Sequence, residues 1–379
     1  MENAVPIITA NYRPLRFVLI NDTDFWIPTI EQINNRDYDY VKLHRMSTYF
    51  DIGIAPYSLG ICFDGTLVLP AIPKYYDASH ALTLFNRTLS ELLLGGVYCE
   101  AVTPDDIGYG SLTFTAYTRI IKSGWGPSVS FHTAARLKVI GPLDSIKLLK
   151  PETITIDELH TSLKTGRELI SRLGEIPREQ ILYGTTFYVR KQWAESLIHI
   201  WTIIERITEL TWQKYVVNPF ASSKKRREFL DDHRTWPVST KLEVLFQKKL
   251  LPVSTCDMLE EVRKARNNFA HYGKIPTYDT ASKALRGCFE LASLCASDFE
   301  SEDLFEQVVS QVVKRCNLEI LPQKRMLKLS ELEYWLPCPP IPGDKEWGDR
   351  EYEIVDDLCL KPIAECIPNV SNEQSKANH

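Results

Sequence analysis

The spacing of hydrophobic positions changes near residue 150 of the chain. Before that point, apolar residues form short runs rich in β-branched and aromatic side chains, which are typical of strands. These runs predict strands at residues 17–20, 66–69, 112–117 and 135–140. One longer stretch, residues 78–94, has helical spacing and is followed by Gly95 and Gly96, which favour a helix end.

From residue 155 to about residue 315, apolar residues recur at spacings of three and four, which predicts helices and few strands. The clearest predicted helix covers residues 187–215, where Trp193, Leu197, Ile200, Trp201 and Ile204 form one apolar stripe. Further helices are predicted at residues 242–250, 258–271 and 280–297. We expect Ser239 and Thr240 to cap the first of these, and Ser254 and Thr255 to cap the second.

These patterns predict an α+β protein with three regions. Residues 1–150 form a mixed α/β domain that is mostly sheet, and residues 151–317 form an all-α bundle. Residues 318–379 contain a proline-rich stretch at 337–343 and more acidic than basic side chains, so we expect a partly disordered extension.

Composition narrows the classes of partner. The net charge of −5 and pI near 6.0 argue against a protein that coats nucleic acid by its overall charge, so any RNA contact must be local. The 9 cysteines are scattered without a C-x-x-C pair, which indicates reduced thiols. Since no apolar segment approaches the roughly 18 residues of a membrane span, we predict a cytoplasmic protein without membrane association.

The most informative stretch is residues 259–273, with the sequence LEEVRKARNNFAHYG. It contains Arg266, Asn267 and His271 in an apolar frame, at the end of a predicted helix. This stretch resembles the signature of the HEPN superfamily, the Apea-like proteins among them, in which an Arg and a His are separated by four to six residues. The resemblance covers residues 187–297 and implies a helical bundle that cleaves RNA without a metal ion.

The residue types agree with that chemistry. Metal-independent cleavage needs a group that carries a proton and a cation that stabilises charge on the phosphate oxygens. His271 suits the first task and Arg266 the second, while Asn267 would orient one of them or contact the phosphate. The resemblance further implies products with 2′,3′-cyclic phosphate and 5′-hydroxyl ends.

Helix geometry constrains this pair. Residues five apart on a regular helix point roughly 140° away from each other. Either the helix ends near Ala270, or a second chain completes the site. Gly273 and Pro276 are stop signals. Because the resemblance to HEPN ribonucleases implies a two-fold arrangement of two chains, we predict a homodimer.

A basic segment outside the motif is a candidate for RNA binding. Lys224, Lys225, Arg226 and Arg227 are predicted to guide RNA, and a solvated helix face is the alternative interpretation. Arg226 and Arg227 also precede His233 at an acceptable motif spacing, but without the following Asn or the apolar frame. Because histidines are isolated and the acidic pairs are adjacent in sequence, we expect no metal and no cofactor.

Two hypotheses of function follow. The first is a metal-independent endoribonuclease of HEPN type, controlled or targeted by the N-terminal domain. The resemblance implies a role in antiviral defence or as a toxin, with a regulatory partner or trigger. The second is a non-catalytic dimerising module whose N-terminal domain senses a ligand or partner.

Overall fold

The structure is a computed structural model that describes residues 4–21, 23, 29, 31–32, 35, 40–54, 57–76, 78–113, 118–120, 152–296 and 302–317. Within these ranges the predicted α+β class is confirmed, because an N-terminal sheet precedes a helical C-terminal part. The strand predicted at residues 135–140 and the extension predicted from residue 318 lie outside the described residues.

The described residues form the strands β1 (Ala4–Ala10), β2 (Arg16–Leu19), β3 (Met46–Ile54), β4 (Tyr57–Cys62), β5 (Leu67–Pro70), β6 (Ile107–Thr113), β7 (Thr118–Ile120) and β8 (Glu152–Thr155). Six of them make one antiparallel sheet in the order β3-β4-β5-β1-β6-β7. Strand β1 lies inside the sheet, and its Ile8 is opposite Leu69 of β5. The strands predicted at 17–20 and 66–69 correspond to β2 and β5, whereas residues 114–117 of another predicted strand are not described.

The helices are α1 (Tyr40–His44), α2 (Pro73–Tyr76), α3 (Ala78–Leu94), α4 (Ile156–Leu173), α5 (Arg178–Val189), α6 (Trp193–Trp212), α7 (Asn218–Phe220), α8 (Lys224–Asp231), α9 (Val238–Gln247), α10 (Val253–Tyr272), α11 (Tyr278–Cys295) and α12 (Glu302–Cys316). A 3₁₀ turn precedes β6 at Pro104–Asp106, and a π-helical turn at Gln213–Val217 continues α6. Helix α3 is the predicted helix at residues 78–94. It ends as expected, because Gly96 adopts a positive φ of 95°.

The predicted single helix at residues 187–215 is wrong at its N-terminal end. Helix α5 stops at Val189, Lys191 adopts a φ of 60°, and α6 begins at Trp193. The left-handed residue reverses the chain, so that α5 packs against α6 instead of continuing into it. Gly184 permits this contact, since a Cβ there would lie 2.5 Å from the side chain of Ile200.

The predicted serine and threonine caps are also wrong. Pro237 and Pro252 occupy the N-cap positions, so α9 and α10 each begin earlier than predicted and contain the expected capping residues. Their N-caps make no side-chain hydrogen bond. Helix α11 does have a side-chain cap, because Thr277 Oγ1 accepts a hydrogen bond from the Thr280 backbone N–H at 3.3 Å.

Packing is continuous across the predicted boundary at residue 150. Strand β2 pairs in parallel with β8, and α3 packs closely on α4. A Cβ on Gly166 of α4 would lie 1.8 Å from the Glu91 carbonyl oxygen of α3, and Ser162 Oγ donates to the Gly95 carbonyl oxygen at 2.8 Å. One apolar core therefore includes residues of both parts.

Helices α6, α10 and α11 have a defined mutual direction. At one end, Trp193 of α6 contacts Tyr278 of α11, with ring centroids 5.5 Å apart. At the other end, Lys214 Nζ donates to the Cys295 carbonyl oxygen at 3.1 Å, so α11 runs parallel to α6. Helix α10 forms an antiparallel hairpin with α11, because Thr255 Oγ1 donates to Glu290 Oε2 at 2.6 Å. The C-terminal end of α10 thus lies near the N-terminal end of α6.

Candidate functional site

Helix α10 carries the motif and is anchored by its apolar side. Leu259 and Val262 are fully buried, and Leu259 fits against Gly287 of α11, where a Cβ would lie 2.8 Å from its Cδ2. The helix ends at Gly273, whose φ of 65° is the left-handed conformation that glycine adopts without strain. The predicted stop at Gly273 is confirmed. The alternative in which the helix ends near Ala270 is wrong, because α10 continues to Tyr272.

Arg266 and Asn267 are brought together. Both side chains are half-buried, and Arg266 Nη1 donates to Asn267 Oδ1 at 3.2 Å. Within the described residues, Arg266 has no carboxylate within ion-pair distance. A neutral amide therefore orients this guanidinium without cancelling its charge, which leaves the charge available to an anion.

The other charged side chains of α10 differ from Arg266. Arg263 Nε donates to Glu260 Oε2 at 2.7 Å, and Lys264 Nζ lies 3.6 Å from the same carboxylate. The hydrogen bond from Arg263 lowers the pKa of Glu260. Glu261 accepts from Lys283 Nζ at 2.6 Å. These cations are already paired, so Arg266 is the better candidate for binding a phosphate.

His271 is not brought to Arg266. Its side chain is exposed near the end of α10, with its ring 6.3 Å from that of Tyr272 in an edge arrangement. On the continuous helix, His271 lies roughly 140° around the axis from Arg266 and roughly 7.5 Å farther along it. It lies instead on the same face as Asn267, four residues before it. One chain therefore does not place Arg266 and His271 around one phosphate.

An exposed apolar surface lies beside His271, and sequence reasoning missed it. Tyr272 is 82% exposed, Ile275 is 72% exposed and Tyr278 is 41% exposed. We call these three residues the apolar tip. The ring of Tyr278 packs near that of Tyr188, with the two ring centroids 6.0 Å apart. The signal in the sequence was weak, because it consists of apolar residues in and around a loop with glycine and proline.

The predicted RNA-binding residues lie at the opposite end of the bundle. Lys224, Lys225, Arg226 and Arg227 are exposed on α8, beside the C-terminal end of α6. The motif lies near the N-terminal end of α6, and a helix of 20 residues spans roughly 30 Å. The basic helix and the motif are thus not one surface within a chain, and the RNA-binding role of α8 stays a prediction.

The described residues contain no group of three or more His, Cys, Asp or Glu side chains that could hold a metal ion. None of their helices combines the length and apolar character needed to cross a membrane. The cysteines among them, at 62, 99, 256, 288, 295 and 316, form no disulfide, while the remaining three lie outside the described ranges.

Comparison with known proteins gives no identification. The chain matches no family model, no curated protein and no solved structure.

Proposed function

We propose that this protein is a metal-independent endoribonuclease of HEPN type. The observation that carries the proposal is the half-buried guanidinium of Arg266, oriented by Asn267 and unpaired with any described carboxylate. Its sequence neighbour in the motif, His271, is exposed at the end of the same helix. A cation kept available for an anion, together with an accessible imidazole, matches the needs of phosphodiester cleavage.

The resemblance to HEPN ribonucleases implies the reaction, and the two groups suit its steps. The ribose 2′-oxygen attacks the adjacent phosphorus as its proton is removed, and the bond from phosphorus to the 5′-oxygen breaks as that oxygen is protonated. The products are a 2′,3′-cyclic phosphate and a 5′-hydroxyl. Arg266 stabilises the negative charge on the phosphate oxygens, and His271 transfers one of the two protons.

A homodimer is part of the proposal, because the two groups diverge on one helix. Two-fold pairing of the α10 ends would place Arg266 of one chain near His271 of its partner. The apolar tip supports this pairing, since Tyr272 and Ile275 expose apolar area directly beside the motif. Burial of that area would drive the association of the same surfaces that must meet for catalysis.

The cellular setting is proposed by resemblance alone. HEPN ribonucleases serve as antiviral defence effectors and growth-arresting toxins, so we place this protein in the cytoplasm with a regulatory partner or trigger. The N-terminal sheet is the proposed sensing or targeting region.

The test is incubation of the purified protein with mixed RNA in excess EDTA, followed by analysis of the fragment ends. The wild type should leave cyclic phosphates, and Arg266→Ala and His271→Ala should each lower the cleavage rate at least about 100-fold. Arg263→Ala is the matched control on the same helix, because Arg263 is already paired with Glu260. His233→Ala is the control for an exposed histidine elsewhere. Cleavage that both motif variants retain would refute the assignment.

The second candidate function is a non-catalytic dimerising module that senses a ligand or partner. The apolar tip favours it, since that surface would pair two chains whether or not RNA is cut. The two functions separate on expression in cells. If the wild type slows growth and His271→Ala relieves this while it still dimerises, the module interpretation fails. If purified wild-type protein cuts no RNA and its expression harms no cell, the enzyme interpretation fails.

A further inference from the structure

A small polar cavity lies where strand β3 meets helices α3, α4 and α5. Its volume is about 280 Å³. One side chain from each of the three helices brings a guanidinium to it: Arg87 from α3, Arg167 from α4 and Arg178 from α5. Three arginines around one small cavity are a strong local concentration of positive charge in a protein whose net charge is −5.

One buried carboxylate neutralises part of this charge. The Glu91 side chain is 6% exposed, its Oε1 accepts from Arg178 Nη1 at 2.8 Å, and its Oε2 accepts from Arg167 Nε at 2.8 Å. Each arginine thus gives Glu91 a single hydrogen bond and not the bidentate pair that a guanidinium can form. The other acidic side chain at the cavity, Asp51, accepts from the Gly53 backbone N–H at 2.8 Å, and the Asp51 carbonyl oxygen accepts from Arg167 Nη2 at 2.5 Å.

Arg87 is not needed for this ion pairing. Its Nε lies 3.8 Å from Glu91 Oε1, its side chain is 54% exposed, and in the described part of the chain this is its one ion pair. Arg167 and Arg178 already give Glu91 two charge-assisted hydrogen bonds that join three helices. A purely structural network explains those two arginines but leaves Arg87 as an additional cation at the cavity.

The neighbouring charges also affect the pKa of Arg178. Burial is the main cause that lowers the pKa of Arg178. Glu91 and Glu179 oppose this effect, and the positive charges of Arg87 and Arg167 add to the lowering. An anion in the cavity would relieve that repulsion, because the two carboxylates at the cavity, Glu91 and Asp51, do not balance three guanidiniums.

The local fold holds these groups in place. Leu84, Arg87, Thr88 and Glu91 all line the cavity, and their spacing of three and four puts them on one face of α3. The close approach of α4 at Gly166 brings the next residue, Arg167, against Glu91. The site is therefore built on packed helices, which keeps Arg167 and Arg178 in position before a ligand arrives.

We propose that this cavity binds a small phosphate-bearing anion. Guanidinium groups are positively charged and donate hydrogen bonds in one plane, and both properties suit binding to phosphate oxygens. The volume lies just below the usual range of ligand-binding pockets, which fits a free phosphate or a small phosphate ester. Leu84 and Ile52 provide apolar contact for the organic part of an ester. Because the cavity joins the sheet to the helices, binding would stabilise the contact between the two parts of the protein. This inference does not depend on the proposed ribonuclease.

The experiment is calorimetric titration of the full-length protein with inorganic phosphate, adenosine 5′-monophosphate and adenosine, at constant ionic strength set with NaCl. Arg87→Ala is the test variant, since an exposed side chain with one long ion pair is not required for folding. Arg172→Ala is the matched control. Arg172 has an equivalent contact with Glu168, at 3.7 Å and 48% exposure, but it does not line the cavity.

We expect wild type and Arg172→Ala to bind a phosphate compound equally, and Arg87→Ala to bind it at least about tenfold more weakly. Binding of inorganic phosphate would identify the free anion as sufficient. Binding of the nucleotide but not of inorganic phosphate or adenosine would identify a phosphate ester. Absence of saturable binding by either phosphate compound, or equal binding by Arg87→Ala, would overturn the proposal.

Discussion

Mixed dimers of two inactive variants test whether the ribonucleolytic site is shared between chains. Arg266 and His271 lie on one uninterrupted helix, roughly 140° apart around its axis. If each active pair combines Arg266 of one chain with His271 of the other, a two-fold dimer holds two such pairs. A dimer of one Arg266→Ala chain and one His271→Ala chain then has one pair with both native residues and one with neither.

The expected recovery follows from this count. Random exchange between equal amounts of the two variants makes about half of the dimers mixed, and each of them has one of two pairs intact. The mixture should therefore regain about one quarter of the wild-type cleavage rate. The cleavage rate of each variant alone should be at least about 100-fold below that of the wild type, so the recovery is large compared with this background.

A quenched fluorescent RNA in excess EDTA provides the assay, after incubation long enough for chains to exchange. The matched control mixes Arg266→Ala with the double variant Arg266→Ala/His271→Ala, which leaves no intact pair in any dimer. If isolated mixed dimers stay inactive while the wild type cleaves, the pair does not form across the two-fold axis and the geometric reasoning fails.

Three further predictions concern stability and assembly. Gly166→Ala should destabilise the protein by about 3 kcal/mol or more in urea unfolding, because the new Cβ would meet a backbone carbonyl of α3; a smaller loss would mean that α3 and α4 separate easily. Burial alone raises the pKa of Glu209, but hydrogen bonds, first of all that from Lys241, outweigh it and lower the pKa. Glu209→Gln should therefore cost about 3–5 kcal/mol above pH about 5, since Lys241 is 1% exposed. That difference from wild type should shrink as the pH falls through the lowered pKa, and a constant difference would contradict this assignment. Ile275→Asp should convert dimers to monomers, as measured by light scattering. Val253→Asp should not, because Val253 is 59% exposed but lies at the other end of α10.

Helix content and the inward sides of helices could be predicted from the sequence, because they depend on periodicity. The apolar spacing along α6 corresponds to its buried stripe, with Leu197, Ile200 and Ile204 fully buried. The end of α10 could be predicted for the same local reason, since Gly273 adopts a left-handed conformation that few other residues accept. Such features are determined within a few residues of the chain.

Other features depended on contacts that local sequence does not contain. Strand β1 was not predicted, because it contains Pro6 and proline is unusual inside a sheet. The pairing of β1 with β5 and β6 nevertheless holds the sheet together. The break between α5 and α6 occurs at Lys191 without a glycine or proline. The packing of Gly184 against Ile200 accompanies the reversal, and this contact joins two helices whose break the apolar spacing did not reveal.

The same division holds for the candidate sites. Sequence alone determined which residues carry the motif, because Arg266, Asn267 and His271 are neighbours in the chain. It left open whether one chain assembles them, and the continuous helix to Tyr272 decided against this. The arginine cavity was invisible in the sequence, since its guanidiniums come from three helices that meet only when α3 and α4 pack at Gly166. The residues of a local motif can be identified from the sequence, whereas the convergence of charged residues that are distant in sequence depends on packing.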